Sequence, residues 1–405
     1  MPISETITWL VPLPSLPAPT TPEPDPSSWT LPPGTPIPAI LPVPEGTLLA
    51  TGSNTYGGRG TGTTDYRFEV ISVVPGLTNV TAVAPGVGMD VYVIDNGEIW
   101  CWGFNDHGQL GNGTQEPVET PHKLPGLTDV TDVVSVLWAG YALTSDGTVW
   151  GWGQNLPEIV GWEQRTSLTP IIIDLPPIQN LISSRDSVYA MTEDGQVLGW
   201  GYDVERMFDH HENDGRIPTL IPGLSDVISV ESSDALALAL TKDGHVWAWG
   251  YNNLGQLGDG TTDDRQLPVP VTNLDHVTSI AAGQATGYAL KDDGSLWCWG
   301  MNLFGQCGTG ATPQNEVDEG ATYLEPVPIL SLSDVTRIDA SGQSAYAWNS
   351  EGMWAWGNGW IMTQAEPDLN GSYYGLTQPN LITELPGVTK IVGSHQTTYL
   401  LVGPT

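Results

Sequence analysis

The residues best equipped for metal chemistry fall in one run, Asp209-His210-His211-Glu212-Asn213-Asp214, where two imidazoles lie among three carboxylates. A bound cation needs three or four such groups converging on one point. Neighbouring histidines on an extended segment point to opposite sides, and no further ligand follows at a metal-site spacing, so the run is read as surface and no metal is assigned. The remaining histidines, His107, His122, His245, His276 and His395, stand singly. Cys101 and Cys298 each sit between two tryptophans, at a position that Gly151, Gly199, Ala248 and Ala355 fill elsewhere. A site that accepts Gly, Ala or Cys is a packing site for a small residue, so these thiols are expected to be buried and inert, as is Cys307. No nucleophile elbow, zinc-protease helix or calcium loop occurs, and the carboxylates are spread along the chain without an acid–base pair. Neither a catalytic residue nor a cofactor is assigned. What remains is recognition chemistry. Trp162, Phe208, Trp360, Tyr373 and Tyr374 lie in insertions and are the candidate partner-binding residues, since exposed aromatics are common interface anchors.

The chain that carries these side chains has 405 residues, with 46 acidic against 12 basic ones, a formal charge of −34. Affinity for nucleic acid comes largely from Lys and Arg displacing counterions, so this charge excludes a phosphate backbone as partner and disfavours anionic lipid surfaces. No apolar run approaches the ~18 residues of a spanning helix. Forty-eight glycines, 34 prolines and 17 tryptophans favour many short strands joined by turns. Residues 1–45 hold 14 of the prolines and no Lys or Arg precedes Arg59, so neither a secretory signal nor a transit peptide is expected. Residues 1–44 are read as an extended acidic arm, anchored through Ile7, Trp9, Leu10 and Trp29, with Ile40 a further apolar residue.

From residue 45 onward one unit recurs. A turn dipeptide appears at Glu45-Gly46, Asn96-Gly97, Asp146-Gly147, Asp194-Gly195, Asp243-Gly244, Asp293-Gly294 and Glu351-Gly352, with glycine spacings of 51, 50, 48, 49, 50 and 58. Such dipeptides suit type I′ hairpins. Each follows an apolar strand and most precede an alternating one such as Val246-Trp247-Ala248-Trp249-Gly250. A second piece, Pro125-Gly126-Leu127-Thr128-Asp129-Val130 and its relatives, supplies a turn and a further strand. One such sheet cannot bury both its faces, whereas seven stacked radially can. The chain enters in mid-unit and leaves in mid-unit, so the last blade is expected to be built from both ends. The fold class is therefore all-β: a seven-bladed β-propeller over residues 45–405, behind the arm.

Three copies carry a longer signature, Trp102-Gly103 to Gly113, Trp249-Gly250 to Gly260 and Trp299-Gly300 to Gly310, each with Asn and a Gly-Gln-(Leu or Cys)-Gly core. This resembles the regulator-of-chromosome-condensation repeat family, and the resemblance covers roughly residues 45–402. It implies a seven-bladed propeller. Its Asn and Gln are expected to satisfy buried backbone groups between blades. The loop lacks the Lys-Ser/Thr of a phosphate-binding loop, so no nucleotide site is placed there. Family units usually carry a histidine before the second strand, and Met89, Ala139, Ser187, Leu236, Thr286, Ser344 and Thr397 are read at those positions. The basic tail of chromatin-bound members has no counterpart, and the exchange residues of members acting on small GTPases are not placed by motif.

The function read from these features is a non-catalytic recognition scaffold for protein partners, joined by its arm to a larger assembly. Its acidity suggests an extracellular, cell-surface or virion setting, as an appendage for adhesion or receptor binding. The alternatives are a guanine-nucleotide exchange factor for a small GTPase, which the resemblance implies, and a propeller that inhibits an enzyme. A propeller hydrolase or lyase would need carboxylates clustered at the axis.

Overall fold

The computed structural model describes residues 44–64, 71–86, 89–154, 166–201, 217–234, 236–311, 321–358, 376–382, 385, 387–393 and 397–403. The chain divides into two units, Met1–Pro36 and Ile37–Thr405, and every described residue belongs to the second. The arm residues Ile7, Trp9, Leu10, Trp29 and Ile40 lie outside the described residues.

Seven four-stranded antiparallel sheets form from the repeats. The first strands, β1 (Leu48–Gly52) and β2 (Ser72–Val73), belong to the last blade. Blade I contains β3 (Val80–Pro85), β4 (Asp90–Asp95), β5 (Glu98–Gly103) and β6 (Val118–Lys123). Blade II follows with β7 (Val130–Val136), β8 (Ala139–Thr144), β9 (Val149–Gln154) and β10 (Thr166–Ile173). Blade III has β11 (Ile178–Ser183), β12 (Ser187–Thr192), β13 (Val197–Gly201) and β14 (Thr219–Leu220). Blade IV has β15 (Val227–Ser232), β16 (Leu236–Thr241), β17 (Val246–Gly250) and β18 (Arg265–Pro270). Blade V has β19 (Val277–Gly283), β20 (Thr286–Lys291), β21 (Leu296–Met301) and β22 (Thr322–Pro328). Blade VI has β23 (Arg337–Ser341), β24 (Ser344–Asn349), β25 (Gly352–Gly357) and β26 (Leu376–Ile382). Blade VII joins β27 (Val388–Gly393) and β28 (Thr397–Val402) to β1 and β2 in the order β2-β1-β28-β27. The first strand of each blade touches that of the next, and β27 touches β3, which closes the ring.

Closure is a register of five pairs, from Leu48 opposite Leu401 to Gly52 opposite Thr397. The Thr397 hydroxyl also donates to the Ser53 carbonyl at 2.8 Å. Joining the ends in one sheet removes the open edges a linear array would leave.

The alternating strands explain why blades stack. In β17, Trp247 and Trp249 face blade III and meet Tyr189, Val197 and Ile221, whereas Ala248 faces blade V and meets Trp299 and Ala289. The second Trp of each Trp-x-Trp-Gly or equivalent is buried: Trp102, Trp152, Trp200, Trp249, Trp299 and Trp356. Five of them cross a seam to meet a tyrosine edge-to-face or nearly so: Trp152 with Tyr92, Trp200 with Tyr141, Trp249 with Tyr189, Trp356 with Tyr288 and Trp102 with Tyr399. Edge-to-face pairs add about 0.5–1.5 kcal/mol to the burial itself.

At each seam that has an intact glycine-rich loop, one main-chain oxygen of the loop accepts from the aromatic side chains packed there. The Gln109 carbonyl in blade I accepts from Trp152 Nε1 of blade II at 2.7 Å and from the Tyr92 hydroxyl. Gln306 O accepts from Tyr288 at 2.7 Å and from Trp356 at 2.6 Å. Gly58 O accepts from Trp102 at 2.8 Å and from Tyr399, and Gln256 O accepts from Trp299 at 2.9 Å. Blades II and III have lost this loop, and the indoles of Trp200 and Trp249, which follow them, have no acceptor among the described residues.

The recurring Asn and Gln side chains of the loop serve it from within, which corrects the expectation that they satisfy backbone groups between blades. Asn105 Oδ1 accepts from Leu110 N at 2.9 Å, and its amide donates to Glu116 O at 3.0 Å. Gln109 Oε1 accepts from His107 N at 3.0 Å. Asn252 and Asn302 accept from Leu257 N at 3.0 Å and from Cys307 N at 2.8 Å in the same way. These bonds hold the loop so that the backbone carbonyl of Gln109, Gln256 or Gln306 faces the next blade. Gly258 is needed where the loop meets that blade: its φ is +64°, and a Cβ there would lie 2.8 Å from Trp299 Cδ1.

Two further readings change. Only Asn96-Gly97 has positive φ at both turn residues, 54° and 75°, as a type I′ hairpin requires. At Asp146-Gly147 only the glycine is positive; Gly147 N bonds Thr144 O at 2.9 Å and Thr144 N bonds Thr148 O at 3.0 Å. That is a three-residue loop with a glycine bulge, because one residue more lies between the strands. Its aspartate accepts from the Thr144 hydroxyl at 2.8 Å and from Thr148 N at 3.1 Å, which holds its carboxyl below the usual range. The pairing also puts Asp90 opposite Gly103, as Ala139 is opposite Gly153, so Asp90 and not Met89 occupies the family's histidine position.

Trp152→Phe should cost about 1 kcal/mol more than Trp200→Phe in thermal or chemical unfolding, because only the former deletes a seam hydrogen bond in addition to packing. Equal losses would contradict the assigned role of the Gln109 carbonyl.

Candidate functional site: the axial channel and its loop face

The first strands of the blades surround the axis, and their channel-facing positions carry the charges. Asp132 on β7, Glu231 on β15, Asp339 on β23 and Lys390 on β27 come from blades II, IV, VI and VII, yet they influence one another electrostatically. Side chains from non-adjacent blades meet in this way only at the axis. Asp132 accepts from its neighbour Val133 N at 2.9 Å and from Leu181 N of blade III at 3.1 Å. Asp339 accepts from Ala340 N at 3.1 Å and from Arg337 Nη2 at 3.1 Å. Arg337 also lies over the Trp348 ring, 4.7 Å from its centroid, and donates to the Thr389 carbonyl of blade VII.

Glu231 feels this arrangement most. It is half-buried, and desolvation pushes its carboxyl from 4.5 up to about 8. Asp339 and Asp132 add repulsion and Lys390 opposes them. Desolvation likewise raises Asp132 and Asp339. Nearer the hairpins that join first and second strands, burial raises Asp186, with Arg185 opposing and Asp234 reinforcing. Asp90, fully buried, is raised to about 6 by desolvation although Ser135 Oγ of blade II donates to its Oδ2 at 2.7 Å. No group of three or more metal-ligating side chains occurs among the described residues.

The aromatic candidates Trp162, Phe208, Trp360, Tyr373 and Tyr374, and the run 209–214, lie outside the described residues. Their flanks are described: Gln154 and Thr166, Gly201 and Ile217, Asn358 and Leu376. All three segments leave a third strand and return to a fourth, as do the intact loops, so their flanks share one end of the propeller. The channel charges escaped the sequence reading, although the repeat period held the signal. Aligned on the turn glycines, the positions filled by Asp132 and Lys390 carry Ala82, Asn180 and Ser229 in other blades.

The thiols divide. Cys101 is buried and free, its thiol pushed up to about 12 by desolvation, as expected of an inert packing residue. Cys298 and Cys307 are equally buried but joined to each other in a disulfide. The two repeat positions they occupy face one another, so a second cysteine meets the first.

Seven closed blades with inter-blade tryptophans and loop-borne acceptors define a repeat-built β-propeller. Residues 46–400 match the RCC1-like domain, and the chain belongs to that family. It is similar to Prp20p of Saccharomyces cerevisiae, at 22% identity and a TM-score of 0.72 over 89% of this chain and 92% of that one. Prp20p is described by its binding to Gsp1p and histones, and the same protein, yeast RCC1, has been seen bound to Kap60. Human WBSCR16 is similar at 18% identity and a TM-score of 0.72, over 89% of this chain and 99% of the other. A segment of 81 residues is 32% identical to the human E3 ubiquitin-protein ligase HERC2, covering 19% of this chain and 2% of that protein.

These likenesses correct two expectations. The adhesion or virion-appendage scaffold gives way, because the similar propellers are RCC1 and its relatives. The extracellular, cell-surface or virion setting goes with it: Prp20p is described as binding histones, and net charge speaks to solubility and association rather than to place. The partners named for Prp20p are proteins: Gsp1p, histones and Kap60. Among the described residues no helix is long and apolar enough to cross a membrane.

Glu231 supplies a pH test. Its folded value lies above its ordinary one, so the folded state holds a proton the unfolded chain has released. The resulting cost is absent below about pH 4.5 and grows until the pH passes about 8. Glu231→Gln should therefore raise the unfolding midpoint near pH 8 and leave it unchanged near pH 4. An equal shift at both pH values would show that Glu231 does not titrate as described.

Proposed function

We propose that this propeller acts as a guanine-nucleotide exchange factor, binding a small GTPase and promoting release of its nucleotide. The observation that carries the reading is the RCC1-like match across residues 46–400, supported by the similarity to Prp20p over most of both chains. Exchange needs no bond chemistry in the exchange factor. It needs a rigid surface that binds the nucleotide-free partner better than the loaded one. A GTPase holds its nucleotide with a lysine, backbone N–H groups and a magnesium ion, all complementary to phosphate. A surface with a formal charge of −34 complements the same groups and speeds encounter.

The docking face in this proposal is the end where third strands run into fourth-strand loops, with Trp162, Phe208, Trp360, Tyr373 and Tyr374 as anchors. The arm, residues 1–44, is a separate contact, through Ile7, Trp9, Leu10 and Trp29.

The test is release of a fluorescent guanine nucleotide from a panel of small GTPases, with the full chain in nanomolar amounts. At least one GTPase should discharge about tenfold or more faster, and Trp360→Ala combined with Tyr373→Ala should slow that discharge about tenfold, a loss typical of two hot-spot aromatics. If no GTPase in the panel responds, the exchange reading is wrong.

A further inference from the structure

The seam between blades V and VI differs from the others in one covalent respect. In blade I the small position of the third strand and the apolar position of the loop are Cys101 and Leu110; in blade IV they are Ala248 and Leu257. In blade V both are cysteine, Cys298 on β21 and Cys307 in the loop, with Cα atoms 5.5 Å apart and joined by a disulfide. Cys307 follows Gln306 directly, and Gln306 O is the acceptor for both Tyr288 of blade V and Trp356 of blade VI. The two cysteines, Tyr288 and Trp356 belong to one buried cluster with Ile329 and Leu332. Whatever fixes Cys307 fixes the carbonyl before it.

We propose that Cys298–Cys307 is a thiol–disulfide site whose state sets how firmly blade VI is held against blade V. Formation is balanced with a small-molecule disulfide such as oxidised glutathione. One cysteine thiolate attacks it, a mixed disulfide forms, and a glutathione thiolate leaves. The second cysteine, deprotonated, then attacks the protein-bound sulfur and displaces the second glutathione. Two protein thiols lose two electrons and two protons, and one glutathione disulfide becomes two glutathiones; excess reduced glutathione reverses both steps. Both sulfurs are fully buried, so exchange in either direction passes through local opening of the loop rather than attack on the closed ring. With the bond closed, the loop that offers the Gln306 carbonyl is tied to β21. With it open, the loop is held as in blade I, by the Asn302 and Gln306 side chains and by packing. Cys101, whose repeat partner is Leu110, serves as an internal unreactive control.

The experiment equilibrates the full chain with oxidised or with reduced glutathione, then maps peptides without reduction, records thermal unfolding and follows hydrogen exchange. The oxidised chain should yield a Cys298–Cys307 linked peptide with Cys101 free. It should unfold roughly 2–5 °C higher than the reduced one, as a disulfide of typical worth gives in a large domain. Exchange in β25 should slow on oxidation while β9 of blade II is unchanged. Two variants rebuild pairs that other blades already fold with: Cys307→Leu gives the blade I pair, and Cys298→Ala with Cys307→Leu gives the blade IV pair. Both should lose the response to glutathione. Absence of the linked peptide after oxidation, an unchanged midpoint, or an equal shift in the double variant would each overturn the proposal. Were the double variant not to fold, peptide mapping and the midpoint of the unaltered chain decide it.

Discussion

At four of the seven seams a single loop carbonyl receives the indole of the next blade, and the repeat is built around that bond. A tryptophan indole is large enough to fill the space between two blades, but its N–H cannot be buried without an acceptor except at a cost of about 1–3 kcal/mol. The repeat solves this by fixing, through an asparagine and a glutamine of its own loop, a main-chain carbonyl aimed at the neighbouring blade. The tyrosine of the first blade shares that carbonyl at three seams, so aromatic contact and hydrogen bond are made together. Neither blade completes the interaction alone. A ~50-residue unit therefore has meaning only as one of a set, and the set has no loose end only when the last blade is completed by the pairing of β1 with β28.

Much of this was legible because the constraint repeats. The turn glycines at constant spacing, the Trp-x-Trp-Gly strands and the half-units at either end determine blade number and the split seventh blade. Less legible was how side chains divide between holding a loop and joining two blades. Asn105 and Gln109 are polar and buried in either case, and the distinction lies in a few ångströms of reach that spacing along the chain does not encode. The shift from Met89 to Asp90 has a similar origin: a one-residue offset in the hairpin is invisible until Gly103 supplies the partner. Turn chemistry failed for a different reason. An acidic residue before glycine suits both a two-residue turn and a three-residue loop with a bulge, and strand length decides between them. The disulfide was hidden because Cys298 and Cys307 were read as separate substitutions at two repeat positions, when those positions face each other.

The candidate site was less legible still. The aromatic insertions stand out in sequence because they break the repeat, but the axial charges do not, since each is a single substitution on an otherwise ordinary strand. Glu231, Asp339, Asp132 and Lys390 become a group only when seven strands are wrapped around one axis. Composition misled on setting for a related reason: a charge of −34 constrains which partners are repelled, and says little about where the protein works. A rigid acidic ring with a loop face is compatible with exchange on a GTPase, and the family's structural plan places no demand on catalytic groups.

The central claim is that stability is a property of the closed ring, not of individual blades. Native-state hydrogen exchange of β16 in blade IV, across the ring from the closure, measures this directly when the full chain is compared with one ending before β27. Loss of β27 and β28 should collapse protection in β16 together with that of β1, because every seam leans on the next. Protection of β16 unchanged by the truncation, with losses confined to β1 and β2, would mean that the blades stand as a linear array and would contradict the account.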